Sequence, residues 1–149
     1  MSGTSTSFHD LHPTTDDLAA DVLTGFSRAQ KSIPPKYFYD AEGSRLFDAI
    51  TELPEYYPTR TETAMLRDYA DEIAKKAGTG HLLVEPGSGS CSKARILFAG
   101  LQPCAYVPMD ISRDHLRVAA QEVAVDFPWL EVHAACTCLL YTSDAADDN

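Results

Sequence analysis

Residues 82–93 read LLVEPGSGSCSK: three apolar residues lead into a glycine-rich turn, and a segment of helical composition follows. Two more short apolar runs, Ala105–Asp110 (AYVPMD) and Leu130–Ala135, each follow a helical segment. Apolar runs that alternate with helices are typical of βαβ units and of a parallel sheet. The sequence therefore predicts an α/β fold in which three parallel strands are built from residue 81 onward.

The first 80 residues show helical patterns instead. The predicted helical segments are 14–29, 44–50 and a longer one that opens at a capping box formed by Thr59 and Glu62. Between the first two, Pro34-Pro35 predicts an extended segment over Lys36–Asp40, because proline restricts its neighbours. We expect residues 1–80 to form a helical extension that packs on the sheet and contributes to a substrate site, and residues 81–136 to form the sheet domain.

The glycine-rich turn is the candidate ligand site. Gly87 and Gly89 allow a ligand to approach the backbone, and N–H groups at the start of the next helix offer hydrogen bonds. The third glycine of a dinucleotide fingerprint would fall at Ser92, and GxG alone is a weak signal. Asp110 stands 23 residues after Gly87, about where an acidic side chain accepts ribose hydroxyls. With Glu85 it favours a ligand made of adenosine and an amino acid, although Asp110 has the alternative role of capping the next helix.

Composition excludes several classes of function. The formal net charge is −10 with no basic run, which argues against nucleic-acid binding through phosphates. No run of about 18 apolar residues could span a bilayer, so we expect a cytoplasmic protein. Cys91, Cys104 and Cys136 form no CxxC pair, and we expect small buried thiols and no metal site.

Three blocks carry a family resemblance: residues 34–62 (PPKYFYDAEGSRLFDAITELPEYYPTRTE), residues 83–93 (LVEPGSGSCSK) and residues 106–112 (YVPMDIS). In this order they resemble the histidine-specific Nα-methyltransferases of ergothioneine biosynthesis. The resemblance implies a Rossmann-like methyltransferase with an N-terminal helical extension, which uses S-adenosylmethionine to trimethylate the α-amine of L-histidine, giving hercynine. It implies a small-molecule substrate, no nucleic acid or membrane partner, and a monomer at full length.

The same resemblance implies roles for individual residues. Gly87, Lys93 and Asp110 would contact S-adenosylmethionine, with Asp110 on the ribose. Tyr56 would bind histidine, and Tyr39 would act as the catalytic residue where substrate and cofactor meet. No metal is required. Without the resemblance, Lys93 would be an ordinary solvated lysine and the tyrosines packing residues, and Tyr37 and Tyr57 keep that assignment.

After Cys136 the family continues into a second half that supplies most histidine contacts. Here residues 138–148 read CLLYTSDAADD and resemble the translation of a sequencing adapter, so we expect residues 137–149 to be an artefact. The chain is then an N-terminal fragment truncated after the third strand, inactive and poorly folded because interior strands become open edges. Two alternatives stay open: a methyltransferase for another amino acid, such as a tryptophan derivative, and a non-enzymatic fragment that binds a nucleotide or a partner peptide.

Overall fold

The computed structural model describes residues 6–11 and 18–137. Four parallel strands form one sheet in the order β1-β4-β3-β2. They are β1 (Thr6–Asp10), β2 (Leu82–Pro86), β3 (Ala105–Asp110) and β4 (Glu131–Cys136). The three predicted strands and the α/β class are confirmed. The predicted artefact segment 137–149, apart from Thr137, and the predicted start of the first helix, before Leu18, lie outside the described residues.

Strand β1 is not predicted from the sequence. Its five residues, TSFHD, hold one large apolar side chain, Phe8, and the strand pairs in register with β4 from Thr6↔Val132 to Asp10↔Cys136. Phe8 packs beneath the Arg117 guanidinium at 4.4 Å from the ring centre. The N-terminal extension therefore adds a strand to the sheet as well as helices.

The described helices agree with the sequence pattern except at two junctions. They are α1 (Leu18–Ser27), α2 (Ala41–Thr51), α3 (Tyr57–Ala77), α4 (Ser92–Leu101) and α5 (Arg113–Asp126). The extended segment predicted over Lys36–Asp40 is wrong: Pro35–Phe38 form a 3-10 turn, with Pro35 at its first position, where a fixed φ and a missing N–H favour a helical start. Tyr37 ties this turn to α1 by donating a 2.6 Å hydrogen bond to the Asp21 carboxylate.

Helix α3 begins earlier than its predicted capping box. It starts at Tyr57, so Thr59 lies inside the first turn and does not cap the helix. The helix ends at Ala77, and Gly78 follows with a φ of +80°, a conformation that glycine adopts without strain. The length of α3 carries it across to α4, where Ala74 lies 3.0 Å from the position of a Cβ built on Gly100. The absent side chain at Gly100 allows this close approach.

The core lies between one face of the sheet and helices α4 and α5. Tyr106, Phe98, Leu116 and Val132 are fully buried there. The Phe98 ring meets the Tyr106 and Phe127 rings edge to face, at 5.1 Å and 4.9 Å between centres. Such aromatic pairs stabilise a core beyond the area they bury. Packing in this core fixes the carboxyl ends of β2 and β3, where the glycine turn begins and Asp110 lies.

Strand β2 forms an open end of the sheet. No strand of the described chain pairs with its outer edge, and its Leu82 and Val84 side chains are 57% and 46% exposed. Parallel strands are normally covered on both faces. Strand β2, which leads into the glycine turn, is therefore an edge strand of the described sheet; that it is an interior strand of a longer protein stays a prediction.

None of the helices within residues 18–137 is long and apolar enough to cross a membrane.

Candidate functional site

The glycine turn connects β2 to α4 and is fixed by the end of β3. Gly87 and Gly89 have φ angles of +72° and +50°. The N–H groups of Gly87 and Ser88 both donate to the carbonyl oxygen of Met109, at 2.8 Å and 2.9 Å. The neighbouring strand therefore already satisfies the N–H groups at these two positions, whereas the predicted donors are other N–H groups, at the start of α4.

Asp110 joins the turn to the next helix. Its Oδ2 atom accepts a hydrogen bond from the Gly89 N–H and its Oδ1 atom accepts one from the Ser112 N–H, both at 2.9 Å. Ser112 is the residue before α5, so this bond holds the entry to the helix, but no side chain caps the N–H groups of its first turn. Because a carboxylate oxygen accepts more than one hydrogen bond, this bracing leaves lone pairs for a ligand hydroxyl.

Lys93 lies in the first turn of α4 and forms an ion pair with Glu62 of α3, with 3.0 Å between Nζ and Oε2. Both residues line a cavity of about 270 Å³, the Lys93 cavity, which also includes Glu85 and Gly87. The lysine side chain is 34% exposed. It is therefore held across the cavity mouth, in contrast to a freely solvated side chain.

A buried polar group lies beneath the turn. The fully buried Tyr106 hydroxyl donates a hydrogen bond to Oε2 of Glu85, and the buried Cys91 thiol lies within hydrogen-bonding reach of the same hydroxyl. Burial raises the pKa of the Glu85 carboxyl above its ordinary value, and the hydrogen bond from Tyr106 partly opposes that rise. Ser88 is 4% exposed, and its Oγ atom lies close to the Cys91 thiol but makes no hydrogen bond of regular geometry within the described residues.

Tyr39 lies at a second cavity, of about 360 Å³, at the carboxyl ends of β1 and β3. Asp10, Ile111 and Ser112 are among the residues that line it. Tyr39 follows the 3-10 turn and is 54% exposed. The second cavity touches the start of α5, where Asp110 accepts the Ser112 N–H, so Tyr39 and Asp110 flank the same strand end.

Tyr56 lies apart from both cavities, in the connection between α2 and α3. Its ring packs edge to face on Phe47 with 5.9 Å between ring centres. The Arg60 guanidinium donates to the carbonyl oxygens of Leu53, Pro54 and Tyr56, at 2.7 Å, 2.6 Å and 3.2 Å. Arg60 thereby fixes the backbone conformation of this connection and of Tyr56.

The structure thus brings together three of the five predicted site residues. Gly87 and Lys93 share one cavity, and Asp110 is bonded to the same turn through Gly89. Tyr39 stands at the neighbouring cavity, whereas Tyr56 lines neither.

The family model described as histidine-specific, S-adenosylmethionine-dependent methyltransferase matches residues 18–146. The chain belongs to this methyltransferase family. It is 45% identical over 123 residues to the histidine N-alpha-methyltransferase of Mycolicibacterium smegmatis and 42% identical to that of Mycobacterium tuberculosis, in each case over 80% of this chain. It is 32% identical over 79% of its length to ergothioneine biosynthesis protein 1 of Neurospora crassa.

The match covers only part of each relative. The chain spans about 38% of the length of the two histidine N-alpha-methyltransferases and 13% of the Neurospora protein. The residues that the family model matches, 18–146, include the glycine turn, Lys93, Asp110 and both candidate tyrosines.

Sequence patterns missed three contributors to the site. Glu62 was assigned to a capping box and instead pairs with Lys93. Tyr106 was assigned only to a strand, although a tyrosine inside an apolar strand signals a buried hydroxyl that needs a partner. Arg60 carries no sequence signal, because its three carbonyl acceptors lie in a loop whose conformation is not encoded in a pattern.

The expected buried thiols are confirmed for Cys91 and Cys136 and wrong for Cys104, which is exposed. Cys104 follows the end of α4, and its N–H donates to the His81 carbonyl oxygen at 3.1 Å. Its position between helix and strand leaves the side chain at the surface.

Proposed function

We propose that this chain provides the cofactor-binding part of an S-adenosylmethionine-dependent L-histidine Nα-methyltransferase, which converts histidine to hercynine. The observation that carries the proposal is Asp110, whose carboxylate ends the second strand of the βαβ unit and braces the glycine turn. Within a family that depends on S-adenosylmethionine, this strand end is where an acidic side chain can accept ribose hydroxyls.

The residues of the turn suit such a ligand on structural grounds. Lys93 places a cation at the mouth of the Lys93 cavity, where it can pair with a carboxylate such as that of the methionine moiety. Ser88 offers a buried hydroxyl that makes no hydrogen bond of regular geometry in the described chain and has only the Cys91 thiol close by. When bound, S-adenosylmethionine supplies a methyl group on a cationic sulfur, which an unprotonated amine can accept in line.

The chain's own contribution to the reaction is then binding and alignment. Gly87, Lys93 and Asp110 hold the cofactor, and Tyr39, half exposed at the neighbouring cavity, orients the substrate amine through its hydroxyl. As that hydroxyl takes the amine proton, it releases its own proton to solvent. Tyr56 contributes to histidine binding from the connection that Arg60 fixes. Alignment of two reactants is worth an effective molarity of about 10⁵ M or more in well-oriented systems, so no covalent intermediate is needed.

The first test is calorimetric titration of the chain with S-adenosylmethionine, S-adenosylhomocysteine and NAD. We expect micromolar binding of the two adenosyl ligands and none of NAD. Lys93→Met should weaken binding at least tenfold, whereas Lys76→Met, which removes a lysine from an exposed ion pair on α3, should leave it unchanged. Preference for NAD, or equal affinities of the two variants, would contradict the proposed cofactor site.

The acceptor is tested separately by mass spectrometry. The chain alone, and the chain extended by the remaining length of a matched relative, are incubated with S-adenosylmethionine and either histidine or a tryptophan derivative. Histidine that gains three methyl groups in the extended protein supports the proposal. Methylation of the tryptophan derivative alone would assign the cofactor site to a different acceptor.

A further inference from the structure

The Glu85 carboxyl is a half-buried acid that the proposed cofactor contacts do not use. It lies one residue from the end of β2 and lines the Lys93 cavity beside Gly87. The side chain projects from the sheet face that packs on α4, so a change in its orientation would open or close the wall of that cavity. What fixes this orientation is the hydroxyl of Tyr106 on the adjacent strand.

Tyr106 has little freedom to place its hydroxyl elsewhere. It is fully buried, and the Phe98 ring meets it edge to face at 5.1 Å. Its hydroxyl donates to Glu85 and has the Cys91 thiol beside it, which can donate to the hydroxyl oxygen in turn. Cys91 is itself fixed, since it is fully buried with a φ of +58° at the start of α4.

We propose that Tyr106 is a positioning residue for cofactor binding: its hydroxyl holds the Glu85 carboxylate against the wall of the Lys93 cavity, facing the cationic part of the cofactor. This inference rests on the proposed cofactor site and assigns it a residue that makes no contact with the ligand. A carboxylate in a half-buried wall favours a cationic ligand over a neutral one, so S-adenosylmethionine should gain more from it than S-adenosylhomocysteine.

The charges around Glu85 make Tyr106 the decisive partner. Glu62 and Asp110 are both acidic and, like burial, raise the pKa of the Glu85 carboxyl, whereas the Tyr106 hydrogen bond and the charge of Lys93 lower it. Without the hydroxyl, only the charge of Lys93 lowers the pKa of the Glu85 carboxyl, whereas burial and the carboxylates of Glu62 and Asp110 still raise it. The carboxylate form should then be lost at a higher pH, and cationic-ligand affinity should be lost with it.

Tyr106→Phe removes the hydroxyl alone, and Tyr69→Phe makes the same change on the exposed face of α3 as a matched control. The carboxyl carbon of Glu85 is followed by NMR against pH in the chain without ligand. We expect Tyr106→Phe to move its midpoint upward by about one pH unit, since a hydrogen bond to a charged group and one pKa unit are of similar free energy. An unmoved midpoint would overturn the proposal whether or not any cofactor binds.

Cofactor affinity is then measured between pH 5 and 8. In the unmodified chain, S-adenosylmethionine affinity should fall as Glu85 is protonated, and Tyr106→Phe should shift that fall upward, which weakens binding up to about tenfold between the two midpoints. Glu85→Gln, which keeps an acceptor for Tyr106, should bind weakly with no such pH dependence. A loss that is equal at every pH in Tyr106→Phe would show a merely structural role and refute the positioning role.

The failures of the two proposals differ. If the unmodified chain binds neither adenosyl ligand, the cofactor site is wrong and the positioning role falls with it. If the unmodified chain binds S-adenosylmethionine and its affinity does not vary with pH, only the inference about Glu85 and Tyr106 is refuted. The second measurement needs no variant, so the test does not depend on whether Tyr106→Phe folds.

Discussion

Replacing Asp110 by alanine should destabilise the fold as well as remove a ligand contact. The carboxylate accepts one backbone N–H from Gly89 and one from Ser112, each at 2.9 Å. Hydrogen bonds to a charged group contribute about 1.5–3 kcal/mol each, and Asp110 is only partly buried, so we take the lower value for both and expect a loss of about 3 kcal/mol. For a chain of this size that lowers Tm by about 6–12 °C.

Two further variants distinguish the loss of these hydrogen bonds from the loss of a negative charge. Asp110→Asn keeps one acceptor oxygen but turns an amide N–H₂ toward a backbone N–H, so we expect about half of the loss, with a fall in Tm of about 3–6 °C. Asp114→Ala removes the same charge from the exposed first turn of α5 and should cost only about 0.3–1 kcal/mol through the helix dipole.

The assay is thermal unfolding followed by circular dichroism, with S-adenosylhomocysteine titration of each variant at a temperature where all are folded. The expected losses of the two variants differ enough to separate their Tm values. If Asp110→Ala melts within about 2 °C of Asp114→Ala, the two hydrogen bonds do not brace the turn. A folded Asp110→Ala that binds the ligand with unchanged affinity would refute the ribose contact while leaving the bracing intact.

Three other variants test separate features of the fold. Gln102→Gly should raise the free energy of unfolding by about 0.5–1 kcal/mol, because Gln102 follows α4 with a φ of +43°, which only glycine adopts without strain. As a control, Gln121→Gly inside α5 should lower the free energy of unfolding by about 1 kcal/mol. Glu85→Gln should leave Tm unchanged at pH 4 and raise it at pH 8. The raised pKa of Glu85 makes the native state bind more protons than the unfolded state, so the unmodified chain loses stability as pH rises from the ordinary carboxyl pKa through the raised one. Val84→Lys adds a charge on the edge strand β2 and should reduce self-association in sedimentation measurements. Val125→Lys adds the same charge on α5 and should not. Equal effects would mean that net charge, and not the exposed edge of β2, controls association.

Sequence patterns predict the part of the fold that depends on local apolar runs. Strands β2, β3 and β4 coincide with the predicted apolar runs, and helices α4 and α5 occupy the helical segments predicted between those runs. Strand β1 lacks such a signal, because TSFHD is stabilised by pairing with β4, more than 100 residues away. The turn at Pro35–Phe38 was missed for a related reason: proline permits both an extended chain and a helical start, and contact with α1 decides between them.

The candidate site divides in the same way. The position of Asp110 follows from its spacing to the glycine turn, but its bonds to Gly89 and Ser112 depend on where β3 ends relative to that turn. The Tyr106–Glu85 bond depends on strand register. Leu83 lies opposite Tyr106 and Glu85 lies opposite Pro108, so the bonded residues are diagonal neighbours on one face. A shift of one residue would place them on opposite faces, and no single strand's sequence fixes that register.

The hydrogen bonds of the turn also determine what kind of ligand recognition remains open to it. Because the Met109 carbonyl oxygen takes the N–H groups of Gly87 and Ser88, the backbone at these positions is not available to a phosphate. On the proposed function, recognition depends on charged side chains around the turn, a cation at Lys93 and carboxylates at Glu85 and Asp110. A pyrophosphate there would be repelled by two carboxylates. In S-adenosylmethionine, by contrast, the ribose hydroxyls can donate to Asp110, the cationic sulfur faces Glu85 and the carboxylate can pair with Lys93. The proposed cofactor therefore matches the charges around the turn better than a dinucleotide does.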